Sequence, residues 1–95
     1  MLMIEDNVDL KELEKYGFKG ESYQNGFIYR NCYVYRNALQ QPVIFIDLKL
    51  RVIEMGFDFA KTDDGIDVIF ELIQAGLVKK VGKYEMNKTC MEEQI

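Results

Sequence analysis

The chain has no histidine and no tryptophan, a single proline and only two cysteines in 95 residues. Without histidine there is no Ser-His-Asp or Cys-His nucleophile arrangement, no imidazole metal ligand, and no base titrating unperturbed near neutral pH. Two cysteines alone cannot form a Cys₂His₂ or Cys₄ zinc site within one chain. Cys32 falls in an expected strand and Cys90 in a polar stretch, so reduced thiols are expected rather than a disulfide framework. No apolar run approaches the roughly 18 residues that span a bilayer. The opening Met1-Leu2-Met3-Ile4-Glu5-Asp6 lacks the basic start of a signal peptide. A cytoplasmic protein with no membrane segment, no cofactor, no metal and no catalytic residues is expected, hence not an enzyme.

What is present describes an ordinary globular domain. Hydrophobic residues make up 48% and charged residues 29%, fractions typical of folded soluble chains. The length suits one domain, expected over 1–86, with 87–95 as a polar C-terminal tail. Net charge is −4 and uneven: residues 1–25 carry three lysines against six acids, 26–55 carry Arg30, Arg36, Lys49 and Arg51 against Asp47 and Glu54, and 56–95 carry five lysines against eight acids. All three arginines lie in the middle third. The acidic total argues against general binding to a phosphate backbone, although a local basic face is compatible with it.

Two segments carry helix signatures. Residues 6–16 read as a short helix with Asp6 or Asn7 as N-cap, Leu10 and Leu13 on one face, and Gly17 as the left-handed stop. Leu13 and Phe18 then supply the hydrophobic pair of a Schellman cap. A second helix starts at Asp63 or Asp64, carries Ile66, Ile69, Phe70, Ile73 and Leu77 at helical spacing, and ends at Gly76, with Leu72 and Leu77 in the corresponding cap positions. Between the helices the pattern is of strands near 18–23 and 27–36 around Asn25-Gly26, a strong hairpin signal. A break over Asn37 to Pro42 follows, then the apolar strand Val43-Ile44-Phe45-Ile46, a tight turn over Asp47 to Leu50, and a strand from Arg51 to Met55. The expected fold is α+β: a short N-terminal helix, an antiparallel meander of about four strands and a C-terminal helix, with room for a short strand over Val78 to Met86. The expected core includes Leu10, Leu13, Phe45, Ile53, Ile66, Ile69, Phe70 and Ile73.

Three features are candidates for function. Asp58, Asp63, Asp64 and Asp67 form the densest acidic cluster, but setting an EF-hand's glycine on Gly65 places Ala60 where its first aspartate belongs, and acids at a helix start serve as caps and dipole complements. Lys79, Lys80 and Lys83 follow the second helix somewhat as in a winged-helix wing, yet strands occupy the space of that fold's helices, and a solvated surface explains them. Seven of the twelve aromatics lie between Tyr16 and Tyr35. Alternation along the strand puts Phe27, Tyr29, Tyr33 and Tyr35 on one face and Ile28, Arg30, Cys32, Val34 and Arg36 on the other, and a bulge near Asn31 would exchange them halfway. Such tyrosines pack under helices as core, form a protein-binding hot spot, or stack the bases of single-stranded nucleic acid. Tyr29, Arg30, Tyr33, Tyr35 and Arg36 are the candidate partner-binding residues.

In Leu10-Lys11-Glu12-Leu13-Glu14-Lys15-Tyr16-Gly17-Phe18-Lys19, and again from Asp67 through Gln74-Ala75-Gly76-Leu77-Val78 to Val81, the chain resembles small uncharacterised proteins of Gram-positive phages and mobile elements. The resemblance covers about a third of the chain and carries over no catalytic residue. It implies a non-catalytic protein-interaction module, such as an inhibitor of a CRISPR or restriction defence that binds a protein partner, with Glu12, Glu14, Asp63, Asp64 and Asp67 available to imitate nucleic-acid phosphates. A homodimer through an unprotected sheet edge is a further expectation, and single-stranded nucleic-acid binding is the alternative.

Overall fold

The computed structural model describes residues 1–25 and 27–82, and the side chains of Tyr23, Asn25, Ile28 and Tyr29 are outside that description. The described residues form one six-stranded sheet with helices packed against it. The strands are β1 (Leu2–Ile4), β2 (Lys19–Asn25), β3 (Ile28–Arg36), β4 (Pro42–Asp47), β5 (Val52–Met55) and β6 (Val78–Lys80), in the order β2-β3-β4-β5-β1-β6. Every neighbouring pair is antiparallel. A 3₁₀ helix, Leu10–Tyr16, joins β1 to β2, and a short 3₁₀ turn, Phe59–Lys61, leads into the α-helix α1, Asp64–Gln74, which joins β5 to β6. The fold is α+β, as the sequence predicts, and β2 to β5 form the predicted meander. The Asn25-Gly26 turn includes Gly26 and so lies outside the described residues, as do Cys90, Lys83 and the 87–95 tail.

Two expectations are corrected. The sheet has six strands rather than four, because β1 inserts between β5 and β6, pairing Leu2 with both Ile53 and Lys80. The N-terminal helix is a two-turn 3₁₀ segment capped by Asp9, whose Oδ1 accepts from the Lys11 N–H at 3.0 Å. It starts later than residue 6 because the residues before it are used in β1 and its connection. Arg51 fixes that connection: its guanidinium donates to the carbonyls of Glu5, at 3.0 Å, and of Val8.

Both glycine stops form as local physics dictates. Gly17 has φ +91°, its N–H donates to the Glu14 carbonyl, and the Phe18 N–H donates to the Leu13 carbonyl, while Leu13 and Phe18 are both buried. Gly76 has φ +75° and repeats the pattern, with its N–H on Ile73 and that of Leu77 on Leu72. These are the paired bonds of the Schellman motif.

The main core gathers Leu13, Phe18, Val68, Ile69 and Leu72 from the helical connections and their flanks against Ile4, Ile44, Ile46 and Ile53 of the sheet. Of the expected core residues, Leu13, Ile53 and Ile69 are buried, and Leu10 and Phe45 are partly so. Ile66, Phe70 and Ile73 are not core: they remain 47%, 60% and 46% exposed.

Candidate interaction surface

Alternation along β3 places Tyr33 and Tyr35 together, and register then decides which side of the sheet they occupy. Tyr33 stands opposite Ile46 and Tyr35 opposite Ile44, and both isoleucines belong to the core beneath the helices. The tyrosines therefore lie on the covered face. The Tyr33 hydroxyl donates to Glu14 Oε2 at 3.2 Å in the 3₁₀ helix, and the Tyr35 hydroxyl donates to Asp64 Oδ2 at 3.1 Å in α1. The Tyr35 ring packs on Phe18 with centroids 5.6 Å apart. Each tyrosine thus buries its ring over the sheet and ties its polar end to one of the helical connections.

Arg30, Cys32, Val34 and Arg36 form the opposite row. Cys32 and Val34 are buried yet lie outside the main core cluster, flanked by the two arginines. Both arginines are engaged. Arg30 reaches Glu54 at 3.2 Å and Asp47 at 3.4 Å, and Arg36 reaches Glu21 at 2.9 Å and the Gln40 carbonyl at 3.1 Å. With Arg51 turned to backbone carbonyls, the positive middle third of the sequence does not become a bare basic face. The structure therefore splits the five candidate residues: Tyr33 and Tyr35 face the helices, Arg30 and Arg36 lie on the other side, and the Tyr29 side chain is outside the description.

The acids proposed as phosphate mimics are also divided. Glu12 holds Lys15 at 2.9 Å, Glu14 accepts from Tyr33, and Asp64 accepts from both Tyr35 and Thr62. Asp63 makes no side-chain cap bond. Among the described residues, no three of Cys, Asp and Glu stand close enough to hold a metal ion, and no helix is long and apolar enough to cross a membrane. Two grooves run along β2, and the charged groups that line them, Lys19, Glu21 and Arg36, include the Glu21–Arg36 pair.

The surface that sequence reasoning assigned to the core is the outer side of α1. Gly65, Val68, Ile69 and Leu72 are buried, whereas Ile66, Phe70 and Ile73 form a second apolar row at i, i+4 and i+7. At about 100° per residue the two rows together cover about 200° of the helix, roughly twice what packing on one sheet face requires. That excess width was the available signal. Of the other exposed large apolar residues, Phe27, Leu39, Leu48, Leu50 and Phe57 sit on connections and Met55 ends β5, so among the described residues they form no row on one element.

The pH response of the fold follows from the same contacts. N–H groups of Leu50 and Lys49 donate to Asp47 and hold its carboxyl below the usual range, and the hydroxyls of Thr62 and Tyr35 do the same for Asp64. A lowered carboxyl stabilises the fold above its ordinary value of about 4, and that stability is lost as pH falls through the folded value. Burial, reinforced by the Glu14 and Asp64 carboxylates, pushes the Tyr33 and Tyr35 phenols up, and burial does the same to the Cys32 thiol. A raised phenol or thiol stabilises the fold below its ordinary value, about 10 or 8.5, and loses that contribution as pH rises. The urea midpoint is thus expected to stay flat from about pH 5 to about pH 8 and to fall on both sides. A midpoint that drifts within that window contradicts these contacts.

Comparison of the chain with protein-family models, with curated proteins and with solved structures finds no match.

Proposed function

We propose that the chain is a non-catalytic protein-interaction module of phage or mobile-element type, an inhibitor of a host defence system that engages a protein partner with the outer face of α1. The observation that carries this reading is the row Ile66, Phe70 and Ile73, each close to half exposed or more on a regular helix that has already satisfied its own packing with a separate apolar row. A contiguous apolar strip on an ordered element marks an interaction site more than scattered apolar residues do. The phage context rests on the resemblance of residues 10–19 and 67–81. Single-stranded nucleic-acid binding draws less support, because Tyr33 and Tyr35 are bonded beneath the helices and Arg30 and Arg36 already face carboxylates.

The test is affinity capture from a Gram-positive host lysate with three baits: the wild-type chain, Phe70→Ser and Arg36→Ser. A partner retained by the wild-type and Arg36→Ser baits and lost from Phe70→Ser is the expected result. Capture that survives Phe70→Ser but fails with Arg36→Ser would move the site to the sheet, and capture of nothing by any bait counts against the reading.

A further inference from the structure

We infer that the element received by α1 is an amphipathic helix of the partner, with an apolar row and a row of lysines or arginines beside it. This rests on the reading of α1 as the docking face and adds the partner's chemistry. From Asp63 to Gln74 the chain carries Asp63, Asp64, Asp67 and Glu71 and no lysine or arginine. Projected at about 100° per residue, Asp63 and Asp67 fall about 20° and about 60° beyond Phe70, on the side of the Ile66/Phe70/Ile73 row away from the buried one, whereas Glu71 falls beside Asp64 on the flank that faces Tyr35. Among the described residues Asp63 and Asp67 make no ion pair, while Lys61 is held by Asp58 at 2.9 Å and Lys79 by Asp6 at 3.2 Å. Among the described residues the outer face of α1 is thus an apolar strip with an uncompensated negative margin, and a positive row beside an apolar one is its complement.

The secondary structure of the partner follows from what α1 offers. A helix uses its backbone groups internally, so it cannot template an added strand, and helix-against-helix packing through spaced apolar anchors is the mode left. Alpha1 has 11 residues, about 16 Å of length, matched by about three turns of a partner helix. A second copy fits poorly, because an antiparallel two-fold pairing of α1 sets the Asp63/Asp67 row against its own image. An anionic lipid surface meets the same repulsion.

The probe is a pair of labelled peptides, each about 18 residues, long enough to hold a helix, with identical apolar rows at i, i+4 and i+7 and flanks of either lysine or glutamate. By fluorescence anisotropy at low salt, the lysine peptide is expected to bind at least about tenfold more tightly than the glutamate peptide, with the preference shrinking as salt is raised. The double variant Asp63→Asn/Asp67→Asn should reduce the preference to within about twofold, while Phe70→Ser, at an exposed position that circular dichroism can show to be folded, should abolish binding of both. Equal or tighter binding of the glutamate peptide, still lost in Phe70→Ser, would overturn the charge inference and leave the docking face standing. Failure of both peptides to bind would overturn both. A dimer seen by light scattering and lost in Phe70→Ser would overturn the inference in favour of a second copy.

Discussion

Leu72→Ala is expected to lower folding stability by about 2–5 kcal/mol, and Phe70→Ala, two residues earlier in the same helix, by less than about 1 kcal/mol. Leu72 is fully buried among residues that include Ile69 and the sheet isoleucines, and its carbonyl also receives the Leu77 N–H of the helix stop. Truncation there leaves a cavity that its close-packed neighbours fill only in part. Phe70 carries the larger side chain, so area alone would rank it as the costlier loss. Its 60% exposure reverses the order, because most of its ring is already in water. Urea unfolding followed by circular dichroism measures both, and an unchanged m-value would show that the variants unfold as the wild type does. Equal losses for the two variants would mean that the outer row of α1 is structural.

Asn37→Ala is expected to cost about 1–2 kcal/mol, because it removes the acceptor of two part-buried N–H groups at once. Asn37 is 1% exposed and is the buried polar residue of the described core. Its Oδ1 accepts from the N–H groups of Leu39 and Gln41, each at 2.9 Å, and its Nδ2 donates to Gln41 Oε1 at 3.2 Å. Backbone bonds from Asn37 to Gln41 and from Gln40 to Asn37 close the same loop, in which Gln40 takes φ +65°. Asparagine suits this position because its short amide folds back on the following backbone. The loop joins β3 to β4 at the register shift between Tyr35 and Arg36, so its loss loosens the centre of the sheet. Thermal unfolding detects the change as a fall in midpoint, and a variant as stable as the wild type would show that water or backbone replaces the lost acceptor.

The features legible in the sequence were those encoded within a few residues. Gly17 and Gly76 stop their helices through bonds that span five residues, and a glycine followed by a hydrophobic residue was sufficient to place both. The β2 to β5 meander was legible for the same reason, since the Asn37 to Pro42 break and the Asp47 turn separate its later strands. Strand β1 escaped because it has three residues and its partners, Val52, Ile53 and Val78 to Lys80, lie about fifty residues or more along the chain. The grouping of Tyr33 with Tyr35 followed from alternation, but which face the helices cover depends on where the connections cross the sheet, and no local window contains that. The partners of the arginines are not local either: Arg30 finds Glu54 and Arg36 finds Glu21 across strands, which a charge count along the chain cannot show. On α1 the spacing is helical as expected, but the core expected there, Ile66, Ile69, Phe70 and Ile73, shares only Ile69 with the buried row and leaves out Val68 and Leu72, because with two apolar rows spacing alone does not show which one faces the sheet.

The tyrosines and the outer row of α1 then take opposite roles. Tyr33 ties the 3₁₀ helix to the sheet through Glu14, and Tyr35 anchors the start of α1 through Asp64, while Phe70 points outward from the same helix. In the reading we propose, the surface left to a partner is helical rather than on the strand.

The most direct test is the dissociation constant of the purified captured partner, measured by titration calorimetry against the wild-type chain, Phe70→Ser and Arg36→Ser. Phe70→Ser is expected to weaken binding by about 2 kcal/mol or more, the scale of an aromatic hot spot, and Arg36→Ser to leave it within about 0.5 kcal/mol. Unchanged binding by Phe70→Ser, together with a large loss in Arg36→Ser, would contradict the assignment of the docking face to α1.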